Sequence, residues 1–299
     1  MKEFKSINYL EFIERFSSES DCYQYLVDLK WDKGYKCRRC GNSGWVKGKK
    51  WYYRRCKSCS YDESATSGTL FHKIKFPILK AFHILFRIST KKKGMSTVEL
   101  ANEFGLQQKT CWLFKAKIQE AMKSSGKYKL SGIVHVDEFA IGMPEKDKPG
   151  RSNGKKVKII LGVEIIKEDK VGRVYAKVIK DNSASSFRPF FEQNIEKSAQ
   201  IETDAFPSYS SLKNDFNITQ YYSEKGKAFP ELHIQIMNFK KWLIGIHHKC
   251  SSNYFQKYLN EYFFRFNRRV FVNSIFHKLV ERLITGEPIT LKGIRELNT

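Results

Sequence analysis

The chain has 299 residues, 41% of them hydrophobic, and carries a net charge of +23 from 54 Lys and Arg against 31 Asp and Glu. That length suits two or three modules, and the apolar share is enough to bury a core, which excludes global disorder. The positive excess runs over the whole length and not in one tail, which points to a partner with repeating negative charge, nucleic acid first.

The start, MKEFKSINYLEFIERF, is amphipathic and carries early acids, unlike a signal peptide. The most apolar stretch, FPILKAFHILFRI, is interrupted by Lys80 and His83 and is too short to span a bilayer. The expectation is a cytoplasmic, soluble protein with no membrane partner. Residues 1–33 read as a helical segment. Tyr9, Phe12, Ile13 and Phe16 recur at helical spacing, Ser18 to Asp21 makes a cap, and Tyr23, Tyr25, Leu26 and Leu29 resume the rhythm. Cys22 lies here without a close cysteine partner and reads as a packed thiol.

Residues 34–62 change character. Glycines punctuate short runs, no useful helix fits, and so small a module needs a staple. Cys37-x-x-Cys40 and Cys56-x-x-Cys59 supply it, as C-x₂-C-x₁₅-C-x₂-C. Two tight knuckles aiming four thiolates at one ion make a closed tetrahedral site, so the predicted Zn²⁺ is structural and the module is a zinc ribbon. Gly41 and Ser60 follow the two knuckles. Arg38, Arg39, Lys47, Lys49, Lys50, Arg54, Arg55 and Lys57, interleaved with Trp45, Trp51, Tyr52 and Tyr53, offer a surface for phosphates and bases. The same aromatics equally serve as the ribbon's own small core.

Residues 63–125 read as helices at 76–90, 96–104 and 107–124. The last two form a predicted helix-turn-helix. Ser96 caps a helix with Val98, Leu100, Ala101 and Phe104 inward, and Gly105 supplies a left-handed turn with Leu106 beneath it. Gln107, Gln108 and Lys109 then open the helix whose start meets base edges, and Gln and Lys suit adenine and guanine. A plain two-helix corner has the same pattern.

From residue 131 the pattern switches to strands: IVHVDEFAI, KVKIILGVEII and GRVYAKVIK, then a helix at 184–198, then QIETDAF. Amphipathic helices follow in LHIQIMNFKKWLIG, NYFQKYLNEYFFRFNRR and NSIFHKLVERLIT. This succession predicts an α/β domain with one central sheet over 131–285 and a tail at 286–299. Asp137 stands inside an alternating apolar strand, where an acid is costly unless it holds a cation, and Asp204 ends a strand before Pro207. If the first and fourth strands are neighbours, both carboxylates reach one edge and can hold Mg²⁺ or Mn²⁺. Alternation turns Glu138 to the opposite face, while Glu202 shares the face of Asp204 as a minor rival.

Together, IVHVDEFAIG, a basic Gly-rich hairpin (KPGRSNGKK), IETDAFPSYSSL and LHIQIMNFKKWLIGIHHKCSSNYFQKYLNEYFFRFNRR resemble the catalytic domain of insertion-sequence transposases of the insertion sequence 1595 (ISXO-type) group. The resemblance extends upstream through SESDCYQYLVDLKWDKGYKCRRCG, the zinc pairs and the helix-turn-helix. It implies an RNase H-like fold (a mixed central sheet flanked by helices) and an Asp-Asp-Glu or Asp-Asp-Asn set that cuts and joins DNA at terminal inverted repeats. Bacterial origin, double-stranded DNA as partner, association with the nucleoid and a homodimer or larger assembly on DNA follow as expectations.

By that resemblance Asp137 and Asp204 are the first two ligands, and Asn238, just before Lys240, is the third. Helical periodicity leaves this position open, because His233 and Lys240 share one face and Asn238 lies away from it. His233 and Glu261 are the alternatives. Lys240, Lys241, Arg265, Arg268 and Arg269 are expected at DNA phosphates, against a plain solvated face. A binding regulator with an inactive site, or a nuclease or resolvase of the same fold, are the competing functions.

Overall fold

The structure, a computed structural model, describes residues 3–142, 156–167, 170–222, 228–247 and 250–296. The expected hairpin lies outside the described residues, apart from Lys156. The chain divides into two compact units, residues 1–122 with 270–299, and residues 123–269.

The first unit opens with α1 (Tyr9–Arg15) and α2 (Glu19–Lys30), separated where Ser18 caps α2 in a reciprocal box with Asp21. A three-stranded antiparallel sheet follows: β1 (Trp45–Lys47), β2 (Tyr53–Cys56) and β3 (Asp62–Ser64). Then come α3 (Ile78–Thr90), α4 (Thr97–Phe104) and α5 (Gln108–Ala121). Ser96 and Glu99 box the start of α4, and Gly105 ends it at φ +58°, a left-handed conformation that favours glycine. Leu100 is buried as expected, but Val98 is 54% exposed, because it lies on the outer side of this short helix.

The last part of the chain returns to this unit. α10 (Ile275–Thr285) packs on α2, α3 and α5, and Phe276 enters an aromatic cluster with Phe12, Phe16, Phe82 and Phe86. The expectation that the sheet domain runs to 285 is therefore shortened to 269. The apolar stripe of α10 is the same whichever core receives it, and only the aromatic cluster shows which one does. α11 (Leu291–Glu296) falls within the expected tail at 286–299.

The second unit is built on β4 (Ile133–Ile141), β5 (Val157–Ile166) and β6 (Lys170–Ile179), an antiparallel meander. α6 (Ala184–Asn194) crosses over to β7 (Gln200–Asp204), parallel to β4, and α7 (Pro207–Ser210) leads to β8 (Ile218–Tyr221), parallel to β7. The order is β6-β5-β4-β7-β8. Only β5 runs against the rest, which is the RNase H-like arrangement. The predicted helix 184–198 stops at Asn194, since Ile195 is extended and bridges to Leu130.

Each face of the sheet has its own core. Val134, Val136, Ile160 and Ile201 pack under α6 with Phe187, Phe190, Phe191 and Tyr209. Ile159, Leu161, Val163 and Val174 pack under α8 (Pro230–Ile246) and α9 (Phe255–Phe266) with Leu232, Ile236, Phe239, Leu259 and Phe263. The outer edge of β6 is closed by side chains at and beyond α9. Asn267 accepts from the Val174 N–H and donates to its carbonyl, Gln256 accepts from Val178 N–H and donates to the Ala176 carbonyl, and Arg269 donates to the carbonyls of Val171 and Gly172. An edge strand with these groups satisfied no longer templates pairing with another chain.

Candidate functional site

The ribbon is assembled from two matching turns. After Cys37-x-x-Cys40 comes Gly41 at φ +77°, whose N–H donates to the Cys37 carbonyl at 2.9 Å. After Cys56-x-x-Cys59 comes Ser60 at φ +56°, whose N–H donates to the Cys56 carbonyl at 3.1 Å. The four sulphurs lie within 4.8 Å of one another, with Cys37–Cys59 at 3.6 Å and Cys40–Cys56 at 3.5 Å. Their protonation is split. Partial burial raises the Cys37 thiol, but the N–H groups of Cys40 and Arg39, the Tyr35 hydroxyl and Cys59 outweigh that and bring it to about 6. The Tyr61 N–H lowers Cys59, yet burial and the three neighbouring sulphurs carry it to about 12. Four thiols so placed ionise together only around a cation, and a tetrahedral Zn²⁺ fits the donor set.

The ribbon's aromatics divide between the two roles left open above. Tyr52 stacks on Tyr23 of α2 at 3.8 Å, and Arg54 lies between Trp31 and Trp45 at 4.3 and 4.2 Å. These contacts fasten the ribbon to the helices. Trp51 is 41% exposed. After the turn between α4 and α5, Gln107, Gln108 and Lys109 are all exposed at the start of α5.

The carboxylates meet on the central sheet. The register pairs His135 with Glu202 and Val136 with Thr203, so Asp137 and Asp204 follow as side-by-side neighbours on one face, where β7 ends opposite the middle of β4. Asp204 Oδ1 accepts the Phe206 N–H at 3.1 Å, and Asp137 Oδ1 accepts the Glu138 N–H at 2.8 Å. Glu138 does point to the α6 face, where Tyr209 donates to its Oε2 at 2.8 Å. Alternation nevertheless does not remove it from the site, because Asp137, Glu138 and Asp204 each bring a carboxylate oxygen within 4.8 Å of the others. Tyr209, fully buried, has its phenol pushed well above the usual range by burial and then by Glu138, Asp137 and Asp204.

At that spacing each carboxylate pair repels by about 3 kcal/mol at an effective dielectric of 20. A divalent cation removes this cost, so the residues fit a hard metal ion. Strand alternation sets Glu138 on the opposite face, and no local pattern singles out Tyr209 as its partner. Pro207 starts the one-turn helix that carries the tyrosine back beneath the strand ends.

One row away on the Asp137 face, Glu202 lies with Oε2 3.3 Å from His135 Nε2. α8 runs alongside β4 in the same direction: Phe229, just before it, is 4.8 Å from His135, and Lys240 Nζ stands 5.4 Å over the Phe139 ring. His233 is half-buried and Asn238 is exposed. At about 100° per residue His233 shares the face of Lys240, which meets β4 two residues beyond Asp137. Glu261 is fully buried on α9, the helix that packs over β6, and supports the charge of Arg265.

Lys241 is exposed. Burial lowers the Arg265 pKa, and Arg268 stacks on Phe264 at 3.8 Å while donating to its carbonyl. Arg269 stacks on Phe266 at 4.1 Å and clasps β6. Arg268 and Arg269 thus also contact the fold itself.

Fold and site together define an RNase H-like sheet with clustered carboxylates. Residues 129–267, just under half of the chain, match the ISXO2-like transposase domain. Among solved structures, the chain is similar to the Mos1 strand transfer complex (15% identity, 68% of this chain and 75% of that one, TM-score 0.31). It is also similar to a pre-cleavage Mos1 transpososome (15% identity, 72% and 78%, TM-score 0.30). No curated protein matches. Among the described residues no helix is long and apolar enough to cross a membrane.

Proposed function

We propose that this chain is a transposase that cleaves a DNA strand at the ends of its element and joins the freed 3′-hydroxyl to target DNA. The observation that carries the proposal is the convergence of Asp137, Glu138 and Asp204 at the middle of β4 and the end of β7. Asp137 and Asp204 are its ligands for Mg²⁺ or Mn²⁺, and Glu138, steadied by Tyr209, is a third oxygen donor beside them. A divalent ion held there supplies charge neutralisation at the phosphoryl group and activation of the attacking and leaving oxygens. α8 closes the site, with Lys240 as a phosphate contact and either His233 or Asn238 as the further polar group. The half-burial of His233 on the Lys240 side favours His233, while the resemblance favours Asn238.

The zinc ribbon at 34–62 and the helix-turn-helix region at 63–125 bind double-stranded DNA, with Gln107, Gln108 and Lys109 reading the terminal inverted repeats and Lys241 at phosphates. Two ends must be brought together, so the working form is a dimer or larger on DNA.

The test is incubation of the full chain with an end-containing duplex and Mg²⁺, scored for nicking and for joining. Nicking followed by joining, both lost in Asp137→Ala and Asp204→Ala, is expected. Cutting without joining identifies a nuclease, and binding that leaves the duplex intact with either metal identifies an inactive regulator. Parallel assays of His233→Ala and Asn238→Ala decide the α8 position, since the ligand's loss lowers turnover and the bystander's does not.

A further inference from the structure

The first unit carries a third cluster of ligand atoms, outside both sites above. Glu3, His277 and Glu281 each present one, all within 4.8 Å of one another. His277 stands on α10 and is 1% exposed. Its Nδ1 lies 2.6 Å from the hydroxyl of Tyr25 on α2, a fully buried residue whose hydroxyl oxygen accepts the Phe4 N–H at 3.2 Å. Its Nε2 faces two carboxylates, 3.4 Å from Glu3 Oε1 and 3.2 Å from Glu281 Oε1.

A single N–H cannot point at both oxygens, and neither separation has the 2.7–2.9 Å span typical of a charge-assisted bond. Two ligands that share an ion at about 2.0–2.2 Å each stand roughly 3–3.5 Å apart, which is the spacing seen. The other oxygen of each carboxylate is anchored by a lysine, Glu3 Oε2 by Lys5 at 2.5 Å and Glu281 Oε2 by Lys278 at 2.7 Å. Both Oε1 atoms are thereby turned toward the imidazole. His277 and Glu281 are four residues apart on one helix face, a spacing that brings two ligands to one ion. An imidazole fixed at one nitrogen by a buried hydroxyl, and turned at the other between two carboxylates, is a donor set for a borderline divalent cation.

We propose that Glu3, His277 and Glu281 bind a divalent transition-metal ion of the zinc class. The ion pins the N-terminal segment to α10, and with it the start of the chain to its returning end. Tyr25 is a positioning residue that holds the imidazole from behind.

The purified full-length chain, equilibrated with zinc and freed of excess, is assayed for zinc per chain beside the double variant Glu3→Gln, Glu281→Gln. These side chains are 39% and 35% exposed, so the exchange leaves the core intact, and circular dichroism checks this. Zinc bound by the cysteines or by Asp137, Glu138 and Asp204 is common to both proteins and cancels in the difference. The wild type is expected to hold one zinc more. Tyr25→Phe is expected to weaken that zinc by about 10–100-fold, the range for loss of a hydrogen bond behind a metal-bound histidine. With Co²⁺, the thiolate charge-transfer bands of the ribbon stay in the double variant while a separate ligand-field component disappears. Equal zinc in the wild type and the folded double variant overturns the proposal.

Discussion

The ribbon and the sheet each gather metal-ligand side chains, and they differ in what holds those side chains in place. The ribbon has short strands, an exposed β1 and two turns with residues at positive φ, and its Tyr52 stacks outward on Tyr23 of α2. A bound ion would supply the stability that so small a module lacks. The carboxylate cluster rides on strands buried between two apolar cores, so the sheet builds it before any ion arrives. Structural zinc stabilises a fold, whereas a catalytic site draws on the fold's stability to hold like charges together.

The largest expected effect follows from the ribbon side. Apparent zinc binding in such modules is worth about 10–16 kcal/mol, more than a small module's own stability. Chelation, or the double exchange Cys37→Ser, Cys40→Ser, should unfold residues 34–62 and weaken DNA binding while the sheet of residues 133–221 keeps its hydrogen-exchange protection. Loss of protection in both regions at once would break the comparison. The carboxylate side predicts the reverse coupling. Asp137→Asn should cut strand-cleavage turnover by about 10³-fold, equivalent to roughly 4 kcal/mol of lost transition-state stabilisation. Without metal its melting temperature should hold or rise, since one repulsive charge is gone. A variant that loses activity only because it melts early would remove the preformed character claimed for the sheet.

A smaller effect tests the edge of that sheet. Asn267→Ala leaves both backbone groups of Val174 without their side-chain partner, at a cost of about 1–3 kcal/mol and with faster exchange confined to β6 and α9. The smallest sharpens the ribbon side. Ser60 occupies a position at φ +56° whose counterpart in the other knuckle is glycine, so Ser60→Gly should stabilise the zinc-bound ribbon by about 1 kcal/mol in thermal unfolding. A drop in stability would mean that the serine hydroxyl contributes more than the backbone strain costs.

Much of the molecule was legible in the chain because its signals are local. The cysteine spacing, the Ser18 and Ser96 caps, Gly105 and the alternation of IVHVDEFAI each depend on neighbours a few residues away, and the structure has them as expected. Alternation also assigned Glu138 to the correct face, yet it could not place the carboxylate, because where a strand ends against a shorter neighbour, oxygens from both faces converge. The sequence by itself determined most of the elements, though not β8 or the end of α6, as well as the cysteine cluster and the adjacency of Asp137 and Asp204 once the sheet order is given. Tertiary structure alone decided that α10 joins the first unit, that Arg269 clasps β6, and that Tyr209 backs the carboxylates. These outcomes turn on which of several equally apolar surfaces receives a stripe, and on contacts between residues far apart in the chain, and neither is encoded in a local pattern.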